Sequence, residues 1–160
     1  MKYGVLFVPV EHEGNSQGSD EEVEAIKKVV EELLGRTLTD DKGKPAGIVS
    51  VSDSIIFATP YNMQVRKLKR ALPEGARVAS VDKFQGQEAP IVIVSMCASP
   101  GEFGSRGMQF VLDKNRLNVA ISRAQSLAIV VGDPRLAESP CSNIEDMRRL
   151  NLYCWLQSLH

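Results

Sequence analysis

"APIVIVSMC", residues 89 to 97, is a nearly unbroken apolar run that shows no alternation between apolar and polar positions. A strand with one wet face alternates, so this run reads as a central parallel strand covered on both sides. Four further Val- and Ile-rich runs lie around it: Tyr3 to Val10, Ser54 to Ala58, "ARVAS" at 76–80 and "SLAIVVGD" at 126–133. Stretches of helical periodicity separate them. That alternation is the pattern of an α/β domain.

The helical stretches carry their own punctuation. In "GSDEEVEAIKKVVEELLGR", Ser19 stands three residues before Glu22, a capping-box spacing, and Val23, Ile26, Val30, Leu33 and Leu34 share one side before Gly35 ends the helix. "TLTDDKGKPAG" reads as a surface connection. After the second run, Thr59 is the expected N-cap and Pro60 the first helical residue, with Val65, Leu68 and Leu72 inward and Arg66, Lys67, Lys69 and Arg70 toward solvent. "NRLNVAISRAQ", residues 115 to 125, is a helix whose Arg116 and Arg123, two turns apart, leave one face beside an apolar stripe of Leu117, Ile121 and Ala124. In the last twenty residues Met147, Leu150, Leu152, Trp155 and Leu156 suit one or two packing helices, with Trp155 as a core anchor.

Composition bounds the function. The 160 residues suffice for one domain with a proper core, spanning 1–160, and 43% apolar with 24% charged residues is ordinary for a folded intracellular, cytoplasmic protein. Net charge is −1, so nucleic-acid contact would be local and shared with other parts of a larger assembly. Cys97, Cys141 and Cys154 are widely spaced and only His12 and His160 accompany them, which gives no zinc-site spacing; no metal site is expected. "YGVLFVPV" is too short for a membrane span and lacks a basic n-region and a cleavage site.

In an open sheet of this class ligands meet the loops leaving the carboxyl ends of strands. The loops after Ala58 and Ser80, and the connection from the fourth strand to the arginine helix, are therefore the candidates. "SVDKFQGQE", residues 80 to 88, is the densest in hydrogen-bonding groups, with Asp82, Lys83, Gln85, Gln87 and Glu88 around a turn at Gly86. Alone, it is equally a plain connection in which Asp82 caps a short turn and Gly86 supplies a positive φ.

Taken with "LDKNRLNVAISRAQ", this stretch strongly resembles motifs V and VI of superfamily 1 helicases, and "IIFATPYNMQVRKLKRAL" is similar to motif IV of the same proteins. The wording "FQGQE" and "RLNVAISRA" is similar to that of the branch holding the nonsense-mediated-decay helicases and related bacterial DNA helicases. The resemblance covers roughly residues 3 to 135. It implies a three-layer α/β/α RecA-like domain with a mainly parallel sheet, the second, C-terminal motor domain of an ATP-dependent helicase. Arg123 then matches the arginine finger that reaches the γ-phosphate across the cleft, and Arg116 a supporting arginine. Gln85, Gly86, Gln87 and Glu88 match the nucleotide side of motif V. Ser80, Asp82 and Lys83, with Thr59, Tyr61 and Asn62, fall toward the single-stranded DNA or RNA track.

The sequence has no GxxxxGK[ST] loop and no Asp-Glu magnesium motif. The resemblance therefore implies a fragment of a longer helicase, inactive by itself, whose ATP and Mg²⁺ are bound mainly by the first RecA-like domain of the same polypeptide. The alternative is a non-catalytic RecA-like module that binds single-stranded nucleic acid or a protein partner.

Overall fold

The computed structural model describes residues 4–15, 17–39, 42–84, 86–99, 114–138 and 153–155. The elements run β1 (Gly4–Pro9), α1 (Asp20–Leu33), β2 (Thr37–Thr39), β3 (Pro45–Ile48), α2 (Val51–Ser54), β4 (Ile55–Thr59), α3 (Asn62–Ala71), β5 (Arg77–Ser80), a 3-10 turn (Val81–Phe84), β6 (Ala89–Ser95), α4 (Lys114–Ser122), β7 (Ala124–Gly132) and a second 3-10 turn (Pro134–Glu138). Five strands form one parallel sheet in the order β1-β7-β6-β4-β5. The run at 89–97 supplies β6, the middle strand, with Val92 opposite Ile56 on one side and Ala128 on the other.

Period-two alternation sends each strand's side chains to two cores. Ile55, Phe57, Ile91, Ile93, Ile129 and Val131 meet Val23, Ile26 and Val30 of α1 and Val65 and Leu68 of α3, with Leu72 beyond it. Ile56, Ala58, Val92, Val94 and Val130 meet Leu117 and Ala120 of α4, Val81 and Phe84 of the first 3-10 turn, Leu136 and Tyr153. Helices on both faces of a parallel sheet make the three-layer α/β/α RecA-like architecture that the resemblance implies. Among the described residues no helix is long and apolar enough to cross a membrane.

Four local expectations are corrected. "TLTDDKGKPAG" contributes to an antiparallel hairpin, with Thr37 opposite Ile48 and Leu38 opposite Gly47, although it lies on the surface as expected. The N-cap of α3 is Tyr61, not Thr59, and it makes no side-chain cap. Thr59 stays in the ladder opposite Ser80 and its buried hydroxyl donates to Cys97 Sγ at 3.4 Å, so strand pairing takes precedence over the cap. Leu34 is the extended C-cap of α1 and is exposed, since leaving the helix rotates it off the buried stripe. Trp155 is 53% exposed while Tyr153 is fully buried, packed edge-on against Phe7 at 5.5 Å with its hydroxyl donating to the Asp133 carbonyl at 2.7 Å. Two residues apart on a helical turn, the two rings cannot share a face, and the hydroxyl gives the tyrosine a partner inside. Met147, Leu150, Leu152 and Leu156 lie outside the described residues.

Candidate functional site

The candidates fall at two opposite edges of the sheet. At the carboxyl edge, β4 and β5 end side by side at Thr59 and Ser80. Thr59 and Tyr61 are buried, Ser80 is half-buried, and Asn62, Asp82 and Lys83 are exposed. The side chains that reach solvent there are therefore the amide at the start of α3 and the two charged groups of the first 3-10 turn.

The second group lies where β6 and β7 begin. Ala89 stands opposite Ala124, and the Ala89 N–H donates to the Arg123 carbonyl at 3.0 Å, so the residues preceding these two strands are held together. The helix expected over 115–125 ends at Ser122, so Arg123 follows α4 instead of projecting from it and Ala124 opens β7; the Arg123 N–H is shared between the carbonyls of Val119 and Ala120, both at 3.2 Å. Its side chain is half-buried, and its Nε is buried with no hydrogen-bond partner among the described residues. A buried guanidinium nitrogen left without an acceptor is costly, and an arriving anion would relieve it.

Gly86, Gln87 and Glu88 are exposed on the neighbouring turn, closed by the Gln87 N–H donating to the Phe84 carbonyl at 2.9 Å. Gly86 has φ +81 with open space where a Cβ would stand, so glycine is favoured there by the turn's backbone conformation and not by crowding. An open groove of about 560 Å³ is lined by Gly4, Val5, Ile121, Ser122, Ala124 and Trp155 among others, and Arg123 is not part of its lining. The expectation that ligands meet the carboxyl edge thus covers the first group, while Glu88 and Arg123 enter the opposite edge. Gln85 and the connection at 100–113 lie outside the described residues, as does the side chain of Arg116, whose backbone is in α4.

A third cluster was not anticipated. Glu22, fully buried in the first turn of α1, holds His12 Nε2 at 2.6 Å and accepts from Ser95 Oγ at 2.8 Å and from the Cys97 N–H at 3.0 Å. His12 Nδ1 meets Ser99 Oγ at 2.6 Å, and the His12 N–H donates to Asp133, which is clasped by Arg135 at 2.8 Å. Burial disfavours the charged imidazole, but the hydrogen bond and charge of Glu22, with Asp133 and Glu21, raise its pKa above the ordinary histidine value. Burial likewise opposes ionisation of Asp133, yet Arg135 and two backbone N–H donors hold its pKa low. Burial next to Glu22 drives the Cys97 thiol and the Tyr153 phenol well up, so both stay neutral.

Serine, histidine and glutamate in line evoke a nucleophilic triad, but Ser99 is 1% exposed and His12 carries a raised pKa, the opposite of a general base with substrate access. The cluster is a structural tie joining the ends of β1, β6 and β7 to α1. It also corrects the capping-box reading: Ser19 Oγ accepts from the Glu22 N–H at 3.1 Å, but the Ser19 N–H is taken by Gln64 at 2.8 Å and the Glu22 side chain turns inward. The signal was present, since Glu22 sits four and eight residues before Ile26 and Val30 on the buried stripe.

Comparison with known proteins gives a consistent picture. Residues 7–135 match the model of an AAA domain family. Putative helicase mov-10-B.1 of Danio rerio is 34% identical over 125 residues, covering 68% of this chain and 12% of that protein. Helicase sen1 of Schizosaccharomyces pombe is 33% identical over 121 residues, 71% of this chain and 6% of that protein. The DNA replication ATP-dependent helicase/nuclease JHS1 of Arabidopsis thaliana is 30% identical over 122 residues, 76% of this chain and 8% of that protein. The chain therefore spans about an eighth or less of the length of these relatives.

Proposed function

Given that the chain belongs to this AAA domain family and is a helicase-type domain of superfamily 1, we propose that it is the second, C-terminal motor domain of an ATP-dependent helicase or translocase in the nonsense-decay-like branch. In this reading Arg123 is the finger offered to a nucleotide held by another RecA-like domain of the same polypeptide, inside the cell. The observation that carries it is the buried Nε of Arg123, without a hydrogen-bond partner among the described residues, beside the open Gly86–Glu88 turn. Arg77 Nε is likewise buried without a partner among the described residues, so the weight of the reading falls on where Arg123 stands, after α4 and beside the turn that leads into β6.

The chain's own contributions follow from charge and geometry. The Arg123 guanidinium, planar and permanently charged, neutralises charge spreading onto the transferred phosphoryl oxygens, an effect worth about 10³ to 10⁵ in rate for arginine fingers. Arg116 supports it from α4. Gly86 lets the turn backbone approach the nucleotide, and Gln85, Gln87 and Glu88 offer amide and carboxylate groups to ribose hydroxyls. Magnesium, when bound with ATP on the partner domain, supplies the remaining phosphate charge compensation. At the opposite edge Asn62, Lys83 and Ser80 hold a single strand of DNA or RNA, with Asp82 beside them and Thr59 and Tyr61 shaping the corner from within.

Because nucleotide and strand sites lie at opposite edges of one sheet and are joined by residues 81–88, closure of the cleft reaches the strand-binding corner through that segment. The test is strand-stimulated ATP hydrolysis by the complete polypeptide carrying this domain, with Arg123→Ala against the unaltered protein. Turnover should fall by about a thousandfold or more with strand binding retained. Turnover within a few-fold of the unaltered protein would return α4 to a packing role and leave a non-catalytic binding module.

A further inference from the structure

The outer face of α3 carries a concentration of positive charge that neither core nor cleft uses. The ten residues Asn62–Ala71 contain Arg66, Lys67, Lys69 and Arg70 and no acidic residue, in a chain whose net charge is −1. Gln64, Val65 and Leu68 are buried, so at about 100° per residue Arg66 and Arg70 point directly outward and Lys69 flanks them on the side away from α1. Lys67, on the flank facing α1, is bound to Asp20 at 2.9 Å. Arg66, Lys69 and Arg70 are exposed and make no ion pair among the described residues.

We infer that this face is a phosphate-binding extension of the strand track, so that a single nucleic-acid strand leaving the Asn62 corner runs down α3 across Arg66, Lys69 and Arg70. The inference rests on the nucleic-acid reading above and adds a surface to it. Three features select a polyanion. Side chains three and four residues apart on a helix leave Cβ atoms about 5–6 Å from one another, so these cations form a row and not a cleft. The row begins at Arg66, about one helical turn beyond the exposed Asn62, and runs through the second half of the helix, so the ten residues prolong the track from the corner by about 15 Å. Met63 is the one apolar side chain on that face, 47% exposed, which leaves no aromatic or aliphatic cluster of the kind that anchors a protein partner.

Phosphate contacts of this kind are read through counterion release. Each contact to a single strand contributes about 0.7 to the slope of log affinity against log salt. Loss of three lowers the ratio of affinity at 50 mM to that at 200 mM salt by about 4 to the power 2.1, or roughly 18-fold.

The experiment measures binding of a fluorescently labelled oligo(dT) or oligo(U) strand by the complete polypeptide in that salt range. It compares the unaltered protein with Arg66→Gln/Lys69→Gln/Arg70→Gln and with the charge-preserving Arg66→Lys/Arg70→Lys. All five replacements in these variants are at solvent-exposed positions, and a thermal melt checks the fold. The expected result is weaker binding with the shallower salt slope in the neutral variant and near-complete recovery in the lysine variant. An unchanged slope in the neutral variant overturns the inference while leaving the motor reading intact. A neutral variant that loses affinity for a polyglutamate peptide but not for the strand overturns it in favour of an acidic protein partner. Absence of strand binding by the unaltered protein overturns it together with the strand-track reading, whereas the Arg123→Ala assay judges the nucleotide reading separately.

Discussion

Replacing Glu22 by glutamine removes one negative charge from the tie at the carboxyl edge while preserving shape. The carboxylate is fully buried and serves His12 at 2.6 Å, Ser95 at 2.8 Å and the Cys97 N–H at 3.0 Å. The glutamine carbonyl can still accept from Cys97 or Ser95, so the loss is mainly that of the buried charged partner of His12, about 3–5 kcal/mol. In a domain of this size that corresponds to a melting point about 6–20 °C lower. The sign of the pH dependence follows from His12. Its folded pKa is raised above the unfolded value, so the stabilisation by the pair is complete below about pH 6.5 and is lost as pH rises through the folded value. Without the Glu22 charge, burial of the imidazole, the largest single influence, is opposed only by the lesser charges of Asp133 and Glu21. The penalty of Glu22→Gln, measured by urea unfolding at a series of pH values, is therefore largest at mildly acid pH and shrinks toward alkaline pH. A penalty below about 1 kcal/mol, the scale of a neutral hydrogen bond, or one that does not change with pH, would refute the assignment of a charged His12–Glu22 pair.

Two further outcomes follow from the same edge. Asp133→Asn should cost about 2 kcal/mol at neutral pH, from weaker acceptance of the His12 and Arg135 N–H groups, which donate at 3.0 and 2.8 Å. Because the folded pKa of Asp133 is lowered, this stabilisation is present above the unfolded carboxylate value and disappears as pH falls through the folded one, so acid titration of unfolding should bring variant and unaltered protein together. Gly132→Ala introduces a Cβ at 2.7 Å from Tyr153 Oη and 2.8 Å from Met96 Cγ. Overpacking of about 1–3 kcal/mol should lower the melting point by about 2–12 °C, and near-ultraviolet circular dichroism should show Tyr153 displaced from Phe7; an unchanged melting point would mean that Tyr153 does not dock over Gly132.

The architecture was legible because burial leaves a direct mark on composition. A strand covered on both faces must be apolar at every position, and residues 91–94 obey that rule; α1 and α3 must carry an apolar stripe at helical spacing, and Val23, Ile26, Val30, Val65 and Leu68 do. The motif stretches at 80–88 and 115–125 were legible for another reason: their polar residue types and spacings resemble those of helicases, and the family match covers both stretches. Where local rules failed, a longer-range contact had outweighed them. Thr59 has the chemistry of a cap but remains in a ladder with Ser80, and Ser19 followed by Glu22 has the spacing of a capping box but gives Gln64 the N–H that Glu22 would have taken.

By itself, then, the sequence determined the α/β class, the central strand, the inward faces of α1 and α3 and the residues that form the motifs, all of which depend on near neighbours along the chain. Only the tertiary structure decided that the motif residues divide between opposite edges of the sheet, with Ala89 beside Ala124 at one and Thr59 beside Ser80 at the other. It alone also joined His12 to Ser99 and Asp133, 87 and 121 positions away. Periodicity states which face of an element is buried, but the partner it meets there is set by the strand order β1-β7-β6-β4-β5, in which chain termini and middle become neighbours. A hydrogen bond across that order has no periodic signature, because its donor and acceptor are brought within reach by the fold and not by their spacing in the chain.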